Sequence, residues 1–156
     1  MMDIDSFTGK YAFLSNFWPC TIKDLEFGGI VYPSVEHAYQ AGKTCQSDTR
    51  KKIARLDTPG KAKRFGQTVE LRWNWDEIKL ILMKYYLQQK FYNTKLQHDI
   101  VGTYLLEDGE YKPAELIEGN TWGDTYWGIC NGVGENHLGK LLMDVRHNIM
   151  MEIYCN

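Results

Sequence analysis

Apolar positions recur at helical spacing in two long stretches. After Asn74, the residues Ile78, Leu82 and Tyr85 lead towards Phe91 and Tyr92 on one stripe, and Glu77 three residues after Asn74 gives a capping-box-like start. Near the end of the chain, Leu138, Leu141, Leu142, Val145 and Ile149 share one side of a helix that Asn136 can cap. A shorter helix is predicted from Val35. Pro33 and Ser34 provide its start, and Ala38, Ala41, Gly42 and Cys45 give it a small-residue surface for close packing. Ser47 or Asp48 caps another helix to about Leu56, Thr58-Pro59 opens one that stops near Gly66, and a short one around Lys95 to Val101 ends at Gly102.

Between these helices the apolar runs are short. Thr21 to Tyr32 reads as a hairpin, with Ile22, Leu25 and Phe27 before Gly28-Gly29 and Ile30, Val31 and Tyr32 after. Asp108-Gly109 marks a turn, and Ala114 to Ile117 and Thr125 to Cys130 read as short strands. Phe7 to Cys20 mixes aromatics with Ser15, Asn16 and Pro19 and is expected to pack as a loop or short strand. With 156 residues the natural expectation is one domain over 1–156.

Composition changes this picture in three ways. The 13% aromatic content, with five Trp and ten Tyr, is rich and implies either core filling or stacking surfaces. The net charge of -2 excludes a globally basic nucleic-acid binder. Yet Arg50, Lys51, Lys52, Arg55, Lys61, Lys63 and Arg64 place seven of the eighteen cations in one segment opposed only by Asp57. Such a run is a solvated helical face or a phosphate-binding patch, and any ligand it takes is an anion. Cysteines 20, 45, 130 and 155 form no C-x-x-C and have no histidine at ligand spacing, so no metal is expected. Isolated cysteines and an opening without a signal-like segment fit a reducing cytoplasm, and no apolar run approaches a membrane span.

Three polar clusters compete for chemistry. One is Ser15-Asn16. The second is the stripe Glu36, Gln40 and Lys43, which share a face of the predicted helix with Tyr39 beside them, while His37 points a quarter turn away. The third is Glu118 with Asp124, flanked by Trp122 and Trp127. Carboxylates accompanied by aromatics suit chemistry at an anomeric carbon, where positive charge develops and a flat leaving base can be stacked. Asp124 is equally well read as a turn residue. No G-x-S-x-G occurs, and no histidine has a recognisable nucleophile partner. Gly132 and Gly134 match neither a Walker A loop nor a dinucleotide fingerprint, although a glycine-rich approach to a helix N-terminus suits an anion.

Taken in order, F-L-S-N-F at Phe13 to Phe17, Y-P-S-V-E-H-A-Y-Q-A-x-K from Tyr32, A-K-x-x-G at Ala62 to Gly66, K-F at Lys90-Phe91, D-x-x-W-G at Asp124 to Gly128 and G-x-N-x-L-G-x-L-L-M-x-V-R from Gly134 resemble the NADAR, or YbiA-like, family over nearly the whole chain. The resemblance implies a predominantly helical α+β single domain with a small antiparallel sheet, without metal or other cofactor. It implies an N-glycosidase, a hydrolase acting on N-glycosyl bonds. Some members cleave phosphoribosylamino-pyrimidine intermediates of riboflavin synthesis, and others remove ADP-ribose from guanine in nucleic acid. The implied partner is a phosphorylated ribosyl or ADP-ribosyl small molecule, with ADP-ribosylated nucleic acid as a second.

Residue by residue, the resemblance carries Glu36, Lys43, Asp124 and Trp127 into catalysis and Ser15, Asn16, Phe17 and Gln40 into the pocket wall, with Trp122 and Asn136 as further substrate-binding candidates. In one mechanism Glu36 is base or cation stabiliser, Asp124 orients the ribose, Trp127 stacks on the base and Lys43 binds phosphate or ribose hydroxyls. In the other Lys43 forms a Schiff base with the opened ribose. E-G-N-T-W-G-D departs from the commoner family wording, which bears on substrate more than on reaction class. The reading from another class is a non-catalytic ADP-ribose or nucleotide binding module.

Overall fold

The computed structural model describes residues 2–155. In chain order it contains β1 (Asp3–Ile4), a 3-10 helix (Gly9–Leu14), β2 (Pro19–Lys23), β3 (Val31–Ser34), α1 (Val35–Gly42), α2 (Ser47–Ala54), α3 (Pro59–Gly66) and α4 (Trp75–Phe91). There follow α5 (Gln97–Val101), β4 (Tyr104–Glu107), β5 (Glu110–Pro113), β6 (Glu115–Leu116), β7 (Gly119–Asn120), β8 (Ile129–Cys130) and α6 (His137–Tyr154). The class is α+β and mainly helical, as expected. The strands form pairs: β2 with β3 and β4 with β5 antiparallel, β1 with β6 and β7 with β8 parallel. By backbone contacts the described chain resolves into two compact units, Asn16–Lys90 and a second built from 2–15 with 91–155.

In the Asn16–Lys90 unit the predicted hairpin runs into α1. Ser34 ends β3 and caps the helix, its hydroxyl accepting from the N–H of His37 at 3.1 Å. Thr58 caps α3 in the same way, accepting from Lys61 N at 3.2 Å, with Pro59 at the first helical position. Ala38 and Ala41 are fully buried, and a β-carbon on Gly42 would lie 3.2 Å from both Leu82 Cδ1 and the Tyr86 hydroxyl, so the small face of α1 is pressed against α4. Ile22, Val35, Ile53, Leu82, Met83 and Leu87 complete this core, each large apolar side chain contributing roughly 1.5–3 kcal/mol. Cys45, expected on the packing face, is exposed because α1 stops at Gly42. The buried stripe of α4 runs through Leu82, Met83, Tyr86 and Leu87, which turns Tyr85 out to 50% exposure.

Arg50 departs most from the charge reading. It is 1% exposed and belongs to no cationic surface. Its Nη1 donates to both oxygens of Asp24, at 3.2 and 3.1 Å, its Nη2 to Glu26 at 2.8 Å and its Nε to the carbonyl of Thr44 at 2.7 Å. Glu26 also accepts from Arg72 Nη1 at 2.7 and 2.8 Å. Asp24 further receives the Tyr32 hydroxyl and the N–H groups of Glu26 and Phe27. Burial alone would raise the Asp24 carboxyl, but Tyr32, these N–H groups and Arg50 together hold it below the ordinary carboxylate range.

In the second unit, Asp108 at φ 55° and Gly109 at φ 83° join β4 to β5, left-handed values at both central positions as a two-residue I′ turn requires. Leu138, Leu142, Val145 and Ile149 are buried along α6, as the periodicity predicts, whereas Leu141 is only half-buried. The strand expected over Thr125 to Cys130 shortens to β8, because Thr125, Tyr126 and Trp127 turn over the start of α6. Asn74 stands directly before α4, its carbonyl accepting from Ile78 N at 3.2 Å and its Oδ1 from Arg72 Nε at 2.8 Å. Two caps are made differently from the sequence expectation: α2 starts after Gln46, and Asn136 precedes α6 in the left-handed conformation without capping it.

Candidate active site

The polar face of α1 is buried. Glu36 is 7% and Gln40 4% exposed, and Gln40 Nε2 donates to Glu36 Oε1 at 2.7 Å. The N–H of Glu36 itself donates to the carbonyl of Asn16 at 3.1 Å, which holds Asn16 against the first turn of the helix. Asn16 Nδ2 rests on Met83 Sδ at 3.7 Å, and its Oδ1 is buried without a hydrogen-bond partner. Two turns on, Lys43 Nζ lies 5.5 Å from the centre of the Tyr39 ring, which packs at 5.2 Å on Trp75. Burial pushes the Lys43 amine below the ordinary lysine value, Glu36 opposes that, and Lys63 adds to it. Asn16, Glu36, Gln40 and Lys43 are thus brought together in one unit, and Phe17 in that unit is 43% exposed.

This arrangement has a built support. Arg50 binds the carbonyl of Thr44, and the N–H of Arg72 binds the carbonyl of Lys43 at 2.8 Å. His37 donates from Nε2 to Leu56 O at 2.9 Å, which leaves Nδ1 to accept from the Ser34 hydroxyl at 2.6 Å. Burial lowers the pKa of that imidazole. His37 therefore belongs to the scaffold, binding the start of α1 to the α2–α3 connection.

The second cluster is organised through the backbone. Asp124 Oδ1 accepts from the N–H groups of Tyr126 at 3.1 Å and Trp127 at 2.9 Å. Asn120 accepts from Asp124 N and donates to Asp124 O and Ile129 O. Asn136, 5% exposed, accepts from Glu118 N at 3.0 Å and donates to Leu116 O at 2.9 Å. Tyr126, Trp127 and His137 form an aromatic group with ring centres 4.4 to 6.4 Å apart. The anion expected at the start of α6 meets an occupied terminus: Glu135, Asn136, His137 and Leu138 all donate their N–H groups to carbonyls of residues 125–128. Trp122 is 61% exposed, and Ser15 closes the 3-10 helix through its N–H to Ala12 O.

Among the described residues, no three His, Cys, Asp or Glu side chains gather as a metal site would need, and no helix is long and apolar enough to cross a membrane. The cationic segment, less Arg50, leaves Lys51, Lys52 and Arg55 lining a groove of about 620 Å³ with Asp48 and Leu56. The sequence reading passed over Gly66 as a residue of the site. It was visible only as the last letter of A-K-x-x-G, yet Gln40 lies directly on its backbone.

These features define a class: an α+β protein with a carboxylate, an amide and an amine gathered on one buried helix face. The NADAR domain profile matches residues 5–150, and the chain belongs to that family. It is 36% identical to the N-glycosidase YbiA of Shigella boydii over 152 residues, covering 94% of this chain and 87% of that one. An N-glycosidase of Nostoc punctiforme is 34% identical, with 89% and 86% covered. A riboflavin biosynthesis protein of Vibrio vulnificus is 32% identical, with 90% of this chain matching 36% of that one. The NMR structure of Escherichia coli YbiA superimposes with a TM-score of 0.78 at 32% identity, covering 97% of this chain and 88% of the other.

Proposed function

We propose that this chain hydrolyses the N-glycosidic bond of a phosphorylated ribosyl or ADP-ribosyl base. The enzyme class is that of its named relatives, a hydrolase acting on N-glycosyl bonds. The observation that carries the reading is the buried Glu36 carboxylate, held by Gln40 on the face it shares with Lys43. Glu36 takes a proton from water, the water oxygen bonds to the anomeric carbon, and the carbon–nitrogen bond breaks with its electron pair leaving on the base, which is then protonated. Positive charge on the sugar in that transition state is stabilised by a carboxylate that burial keeps away from screening water. The unpartnered Asn16 Oδ1 supports a role as acceptor for a ribose hydroxyl. Ribose orientation by Asp124 and base stacking by Trp127 rest on the family motif alone. The isolated cysteines support residence in a reducing cytoplasm, and a family profile matching residues 5–150 supports the reading of one domain over 1–156.

The phosphoribosylamino-pyrimidine class is favoured by the riboflavin relative, and the Lys51, Lys52 and Arg55 groove supports contact with a substrate's phosphates or with nucleic acid. The deciding experiment incubates the protein and its Glu36→Gln variant with a phosphoribosylamino-pyrimidine and with ADP-ribosyl-guanine DNA, and measures released base by mass spectrometry. Turnover lost in the variant is the expected result. Binding without turnover by the unmodified protein would make it a nucleotide-binding module instead. The depressed amine of Lys43 favours a second mechanism in which neutral Nζ attacks the anomeric carbon and the base leaves with the carbon–nitrogen electron pair and takes a proton; the ring carbon–oxygen bond then opens, its oxygen taking the remaining amine proton, to leave an imine for water to hydrolyse. Borohydride under turnover traps that imine on Lys43, and a clean Lys43 peptide rules it out.

A further inference from the structure

We infer that Gly66 is a positioning residue for this reaction, acting through the Gln40 amide to hold the carboxylate of Glu36. The inference rests on the reading of Glu36 given above. Gln40 is almost wholly buried, and its two amide ends meet different neighbours. Nε2 donates to Glu36 at 2.7 Å, whereas Oε1 finds no N–H or O–H donor. On that side lies Gly66, the last residue of α3. A β-carbon at 66 would overlap Oε1 and stand 2.6 Å from Cδ and 2.9 Å from Cβ of Gln40. The side chain therefore occupies the space that a β-carbon at 66 would fill. Rotating the amide by half a turn would set its oxygen against the carboxylate oxygen of Glu36, so Glu36 selects one orientation.

Gly66 is costly where it stands. A glycine inside a helix is less favourable than alanine, and α3 would gain from the exchange as an isolated helix. Its backbone is not left-handed, so no turn geometry requires it. What requires it is the space Gln40 occupies. Any side chain at 66 pushes the amide along α1, and Glu36 loses the bond from Gln40 or turns with it.

The test compares Gly66→Ala, Gln40→Ala and the double variant, using a phosphoribosylamino-pyrimidine as substrate and recording kcat, KM and thermal melting. Each single change is expected to lower kcat about ten- to a hundred-fold, the range of a hydrogen bond to a charged group, with KM within about two-fold. The double variant is expected to be within about two-fold of Gln40→Ala, because with the amide gone the methyl at 66 meets only the Cβ at 40, 2.9 Å away, and has no amide to displace. Unchanged kcat in Gly66→Ala, losses that multiply in the double variant, or a rise in KM alone would overturn the inference. Should Gly66→Ala fail to fold, unchanged kcat in Gln40→Ala overturns it alone. Full activity of Glu36→Gln would instead remove the underlying reading of the site.

Discussion

In the Asn16–Lys90 unit the carboxylate of Glu36 is met by a side-chain amide, whereas before α6 the carboxylate of Asp124 is turned back on the N–H groups of Tyr126 and Trp127. The first acid is buried among side chains that a single substitution can remove one at a time. The second holds the shape of a loop, and Asn120 binds that loop to residue 129 through main-chain groups, while the Asn136 side chain holds residues 116 and 118 before it. Two acids that look alike as candidates are thus open to different kinds of damage. Change at Glu36 should be felt in chemistry and change at Asp124 first in local structure.

The sharpest way to break that contrast is Glu36→Gln. Turnover is expected to fall about 10²- to 10⁴-fold, as for loss of a general base, with the melting temperature nearly unchanged. A large loss of stability would place Glu36 with the scaffold. Next in size is Arg50→Met, which leaves Asp24 buried without its cation and should cost about 3–5 kcal/mol, read as a lower midpoint in urea. Asp124→Ala removes the acceptor for two N–H groups and should cost about 1–3 kcal/mol, while Asp124→Asn keeps that acceptor and should melt like the unmodified protein. If Asp124→Asn melts normally but loses turnover, Asp124 acts on the sugar as well as on its loop.

Smaller effects follow from titration. The folded-state pKa of Asp24 is depressed, so its contribution to stability is present above the ordinary aspartate value and is lost as pH falls through the lowered one. Arg50→Met should flatten that acid-side loss in urea titrations across pH. The Lys43 amine is depressed too, but for a base the sign reverses. Its burial costs stability while it is protonated, and the cost fades as pH rises towards the ordinary lysine value. Lys43→Met should melt slightly higher at neutral pH, with the difference shrinking in alkali.

Local signals were legible in the sequence. Pro33 and Ser34 placed the start of α1, Thr58-Pro59 placed that of α3, and the four-residue spacing of Glu36 and Gln40 placed them on one face. Burial of that face was not legible, since the period of a helix says which residues align and not what covers them. Arg50 misled for the same reason: its partners Asp24 and Glu26 lie some two dozen residues back, beyond any charge run. Asn136 has the residue type of a cap but stands left-handed and spends its side chain on residues 116 and 118. β1, β6, β7 and β8 are two residues each, too short to show alternation.

The donation of the first N–H groups of α6 to the carbonyls of residues 125–128 has one further consequence. Those amides are shielded from solvent deuterium only while the Asp124 loop keeps its shape. Deuterium uptake at Glu135, His137 and Leu138 thus serves as a clock for loop opening, running faster in Asp124→Ala and, if Asp124 or Trp127 meets the substrate, slower once a ligand is seated.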